Sequence, residues 1–126
     1  MDDKWQAQQT FWSGFGLTAY DENTVPGDAV MPYITYEAVA GNLGAKTQVS
    51  ASLYYRSNSW AEISQKAEQI AKAIYDDLRP AIPIVGGYMM VRLPNGTMHS
   101  DRMDEPTDRD VRRIRFTVEL EFLTAY

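Results

Sequence analysis

His99, Ser100 and Asp101 stand side by side, and His99 is the single histidine of the chain. Together they carry the residue types of a hydrolytic site: a base, a hydroxyl nucleophile and an orienting carboxylate. Their spacing argues against it, because neighbours on a strand point to opposite faces and cannot converge locally. His99 is therefore expected to be a surface or structural residue. Asp101, Asp104, Glu105, Asp108 and Asp110 could offer oxygen ligands to calcium. They lack the D-x-D-x-D-G order and the closing glutamate that such a loop needs, so a solvated acidic loop is expected. Gly41-Asn42-Leu43-Gly44-Ala45-Lys46-Thr47 superficially suggests a phosphate loop. Its glycines are too close, its lysine does not follow the second glycine, and a strand pattern comes next, so a hairpin turn fits better. Cysteine is absent, which removes thiol nucleophiles, thiolate-bound metals and disulfides. The residues point to no catalytic set, no metal site and no cofactor.

What positions these residues is a chain of 126 amino acids, long enough for one domain, residues 1–126, with its own core. Hydrophobic residues at 44% and charged residues at 23% are ordinary for a globular protein. A net charge of −5 leaves little surplus base for general nucleic-acid binding. Arg109, Arg112, Arg113 and Arg115 do cluster, but Asp104, Glu105, Asp108 and Asp110 are interspersed, giving a solvated mixed-sign segment. The start, Met1-Asp2-Asp3-Lys4-Trp5, lacks the apolar core of a secretory signal, and no apolar run approaches the roughly 20 residues of a membrane span. A cytosol-like compartment and no membrane partner are expected.

Asp2 or Asp3 can cap a short helix over Lys4–Trp12, with Trp5, Gln8, Gln9 and Trp12 on one side and glycine closing it near Gly14 and Gly16. Leu17–Tyr20 reads as a strand, 21–28 as a loop, Met31–Val39 and Thr47–Arg56 as further strands. Ser59-Trp60-Ala61-Glu62 has the form of a capping box. Ile63, Ala67, Ile70, Ala71, Ile74 and Leu78 follow at helical spacing up to Arg79-Pro80, predicting an amphipathic helix of about four to five turns. Ile84–Leu93 reads as one strand bulged at Gly86-Gly87, turning back through Leu93-Pro94-Asn95-Gly96 into a strand over Thr97–Met103. The expected fold class is α+β: a mostly antiparallel sheet packed against one long amphipathic helix, with a short N-terminal helix.

The clearest element is the last. Ile114, Phe116, Val118, Leu120 and Phe122 alternate without a miss against Arg113, Arg115, Thr117, Glu119 and Glu121. That is a long strand with one apolar and one charged face. The charged face is basic first and acidic later, so two copies laid antiparallel would be complementary. Aromatics make up 12% of the chain, and Tyr and Trp are enriched at protein interfaces. Tyr54 lies in the register opposite the Val49 face. Arg113, Arg115, Glu119, Glu121 and Tyr54 are thus candidate residues of a subunit or partner interface.

Phe15–Tyr20, Val25-Pro26 and Pro32–Glu37, then Leu53–Ser57 with Ser59–Glu62, and the ending Arg115–Ala125, occur in an order that resembles the tail terminator (tail-completion) proteins of tailed bacteriophages. The resemblance covers roughly Phe11–Tyr126 and is weakest over Tyr88–Asp110. It implies a non-enzymatic virion protein: a homomeric ring, typically hexameric, at the neck of the tail. Such a ring caps the tail tube, stops tube polymerisation and presents a surface to the head–tail connector, after assembly in the host bacterial cytoplasm. DNA passes its lumen, and an acidic chain would not hold the passing phosphates. Two other assignments are compatible with the residues: another neck or head-completion protein, and a small ligand-binding or hydrolytic α+β domain using His99 with the acids of 101–110.

Overall fold

The computed structural model describes residues 2–41, 46–76, 81–94, 99–103 and 108–124. Their chain order is α1 (Lys4–Ser13), β1 (Thr18–Asp21), β2 (Tyr33–Tyr36), β3 (Lys46–Arg56), α2 (Ala61–Asp76), β4 (Ala81–Ile84), β5 (Gly87–Arg92), β6 (His99–Met103) and β7 (Val111–Thr124). All seven strands form one sheet in the order β1-β2-β3-β7-β5-β4, with β6 also on β7. β1 and β2 are parallel; every other pair is antiparallel.

The fold class departs from the α+β expectation. The molecule is a mostly-sheet half-barrel with two short helices, not a sheet packed against one long amphipathic helix. Twist is the physical reason. β3 and β7 pair along eleven positions, from Lys46↔Glu121 to Arg56↔Val111, and long paired strands coil instead of lying flat. Both helices contribute to the core of the resulting hollow. Ala7 and Trp12 of α1 join Ile63, Ala67, Ile70 and Ile74 of α2 in one cluster with Ile114, Phe116, Val118, Leu120 and Phe122 of β7. α1 reaches both outer strands of the sheet, β1 and β4, and the Val85 N–H donates to the Asp2 carbonyl at 2.9 Å.

Several local expectations need correction. Asp3 caps α1, its carboxylate accepting from the Gln6 N–H at 2.8 Å, but the buried side is Ala7, Gln8 and Trp12. Trp5 is 49% exposed. The left-handed glycine after the helix is Gly16 at φ +82°, while Gly14 stays right-handed. The capping box does not form: the Ser59 hydroxyl accepts from the Ala61 N–H, and the Ser64 N–H bonds the Trp60 carbonyl to start α2. Leu78 and Arg79-Pro80 lie outside the described residues. The single strand over Ile84–Leu93 is in fact a hairpin, with Ile84 opposite Gly87 and a two-residue turn at Val85-Gly86. Gly86, at φ +87°, supplies the turn. Gly87 admits a close approach, since a Cβ there would lie 1.8 Å from the Leu123 carbonyl oxygen.

The expected reversal after Leu93 also fails, although Asn95 and Gly96 themselves lie outside the described residues. Arg92 faces Glu119 and His99 faces Thr117, and both strands run antiparallel to β7. The chain takes seven steps from Arg92 to His99 while β7 takes two. β6 therefore continues the line of β5 along the same side of β7.

Candidate interaction surface

Strand alternation sorts the charged and aromatic residues between the two faces of the half-barrel. On the outer face, register aligns Tyr20 of β1 beside β2, Tyr33 beside Tyr54, Tyr54 beside Arg113, and Arg113 beside Met103. The Tyr20 and Tyr33 rings meet edge to face with centroids 5.5 Å apart, and those of Tyr33 and Tyr54 tilt together at 5.1 Å. The Arg113 guanidinium lies 5.3 Å above the Tyr54 ring, and its Nε donates to the Ser52 hydroxyl at 3.2 Å. One row thus crosses β1, β2, β3 and β7 as three rings and a guanidinium. Interlocked in this way, the side chains have already lost much of their freedom before any partner arrives.

The other expected interface residues share this face. Arg115 is exposed, donates to the Ser50 hydroxyl at 3.0 Å and stands opposite Asp101. Glu121 is held by Arg92 at 2.9 Å and faces Lys46 across the sheet. Glu119 lies between Gln48 and Arg92 in register. The basic-to-acidic gradient along β7 is real, but neighbouring strands answer part of it within the subunit. Sequence periodicity could assign Tyr54 and Arg113 to one face. It carried no sign that Tyr20 and Tyr33 would extend their row, because that depends on which strands pair.

His99 and Asp101 share one register while Ser100 takes the other, opposite Phe116. Asp108 serves the loop: its carboxylate accepts from the Asp110 N–H at 3.0 Å and from Arg56 at 2.9 Å, which together hold its pKa below the usual carboxylate range. Asp104 and Glu105 lie outside the described residues. Among the described residues, no three His, Asp or Glu side chains come together as a metal site.

A second feature escaped the sequence altogether. Arg102 and Arg112 both lie over Trp60, at 4.9 and 5.4 Å from its ring centroid, at the start of α2. They come from β6 and β7, more than 40 positions along the chain from Trp60, so no local spacing marks them. Beside them a cleft of about 390 Å³ runs between α2 and the sheet, lined by Ser64, Ala67, Glu68, Ala71, Ser100, Arg102 and Ile114.

No family model matches this chain, and neither a curated protein nor a solved structure is significantly similar to it. No helix among the described residues is long and apolar enough to cross a membrane.

Proposed function

We propose that this chain is a structural subunit of the tail terminator type, assembling as a homomeric ring at the neck end of a phage tail tube. The observation that carries the reading is the Tyr20-Tyr33-Tyr54-Arg113 row on the outer face. Tyrosine and arginine are the residue types in which binding energy concentrates at protein interfaces. A pre-packed row of them across four strands is a surface suited to a partner protein. The likeness of Phe15–Glu37 to the family supports the same reading, because that segment builds β1 and β2 and so places two of the three rings. The partners are then other copies of the chain, the tube protein below and the head–tail connector above, with DNA passing the lumen. The role is assembly, without catalysis.

Native mass spectrometry and light scattering of the purified protein, alone and mixed with tail tubes of the same particle, test this. A ring that forms alone or on the tube end is expected. A monomer that never associates under either condition sinks the reading. Tyr54→Ala with Arg113→Ala should leave the fold intact and weaken association at least tenfold. Reversing Arg115 or Glu119 singly should have a smaller effect in the same direction.

A further inference from the structure

Segment 22–32, which joins β1 to β2, is an arm of unusual composition. It carries Glu22 and Asp28, follows Asp21, and contains no Lys or Arg. The Glu22 N–H ties its start to the Tyr36 carbonyl of β2, and two turns follow, the Thr24 N–H bonding the Asp21 carbonyl and the Ala29 N–H the Pro26 carbonyl. Three positions before β2, Val30 is 79% exposed, more than any other large apolar side chain described. An aliphatic side chain held out on a turn-braced, acidic arm has the form of a knob without a hole.

The cleft between α2 and β6 has the complementary form. Its floor of Ala67, Ala71 and Ile114 is apolar, and two of the three are alanines, which leave space where larger residues would fill it. Its volume is several times that of a valine side chain. One end is positive: Arg102 meets only the Trp60 ring, and Arg112 donates only to the Arg109 and Asn58 carbonyls, so neither has a carboxylate partner among the described residues. Glu68 lines the same cleft from α2. Charge therefore sets Asp28 at the arginines and away from Glu68, with Val30 over the alanines. β6 also has no second strand partner among the described residues, so its outer edge is open to the arm's backbone.

We propose that the cleft receives the 22–32 arm of a second copy of this chain, Val30 seating on Ala67, Ala71 and Ile114 and Asp28 facing Arg102 and Arg112. The arm belongs to the β1–β2 side of the sheet, and β3 and β7 separate it from β6. A copy thus donates at one side and accepts at the other. A contact between different surfaces of identical subunits closes into a ring or propagates as a filament. The inference rests on the ring reading above and names the joint between its subunits.

The natural chain has no cysteine, so engineered thiols report contacts between copies without background. Val30→Cys protein mixed with Ala71→Cys protein should give a mixed disulfide dimer under mild oxidation, in excess of the dimers either variant forms alone. The double variant should give a ladder that ends at the ring's subunit number. Val30→Asp and Arg102→Asp should each weaken association at least tenfold while leaving the circular dichroism spectrum unchanged. Asp28→Arg combined with Arg102→Asp should recover much of the loss. Rings that form normally but show neither cross-link nor charge-swap recovery would overturn this joint and leave the ring reading standing. Protein that never associates, with or without tubes, removes both.

Discussion

Helix α2 enters the core with Ile63, Ala67, Ile70 and Ile74, aliphatic side chains on one stripe, whereas α1 enters it with a tryptophan and a glutamine. The Gln8 amide is fully buried and bonds the Val39 backbone in both directions, accepting from its N–H at 3.0 Å and donating to its carbonyl at 2.9 Å. Gln9 donates to the Ala19 carbonyl and accepts from the Tyr36 hydroxyl. Trp12 contacts Phe11, Phe15, Tyr36 and Phe116 at once. One helix is held by area removed from water; the other is pinned to irregular backbone by side-chain amides around a single large ring. Burial of either kind fills the hollow, but only the first leaves a period in the sequence.

Four substitutions can break or sharpen that contrast. Ile70→Asp puts an unpaired charge into the stripe of α2 and should cost on the order of 4–5 kcal/mol, enough to unfold the domain. A folded, soluble product at normal yield would mean that α2 does not close the core. Trp12→Ala should cost about 3–5 kcal/mol by urea titration. Trp12→Phe should cost much less than its lost area suggests, because the buried indole N–H has no acceptor among the described residues and its removal relieves that penalty. Gln8→Leu keeps the volume but orphans two backbone groups of Val39, and should cost about 2–3 kcal/mol. If it stabilises the protein instead, α1 is held as α2 is, and the contrast is false.

Tyr36→Phe should cost about 1 kcal/mol through its bond to Gln9. It also has a pH signature. Burial first, and the nearby Asp21 charge second, push the Tyr36 hydroxyl above the ordinary tyrosine range. A raised folded value means that the fold favours the neutral phenol. That contribution is complete below about pH 10 and is lost as pH rises through the folded value. Thermal melts at alkaline pH should therefore fall less steeply in the phenylalanine variant. Part of the slope should persist, because burial and Glu62 raise Tyr55 in the same way. Identical alkaline slopes in both proteins would remove Tyr36 from this account.

The same physical distinction explains what could be read from the residues. β7 was legible face by face, because period-two alternation over Ile114–Phe122 has no other solution. The stripe of α2 was legible through Ile74. Gly86-Gly87 was ambiguous, since a bulge and a hairpin turn both call for glycine, and pairing decided between them. The turn signal in Pro94-Asn95-Gly96 misled because it says that the chain bends, not where it goes next. Trp5 was misplaced because α1 has no clear apolar period. On the outer face, Tyr54 and Arg113 were placed by alternation alone. Tyr20, Tyr33 and the Trp60 arginines needed the order of the strands, which no local pattern encodes.

Strand β7 has one further consequence, which concerns how the protein is made. It pairs with β3, β5 and β6, yet it follows every one of them in the chain. During synthesis, β3 and α2 emerge with only α1, β1 and β2 to fold against, and the β7 face of Val49, Leu53, Ile63 and Ile70 is still missing. Lys46 then waits for a partner, Glu121, 75 residues downstream. So non-local a pairing forms slowly, and aggregation competes with it. The nascent domain therefore lacks the strand that joins its two sides until the end of synthesis, and its yield in a cell should depend on what shelters it until that strand arrives.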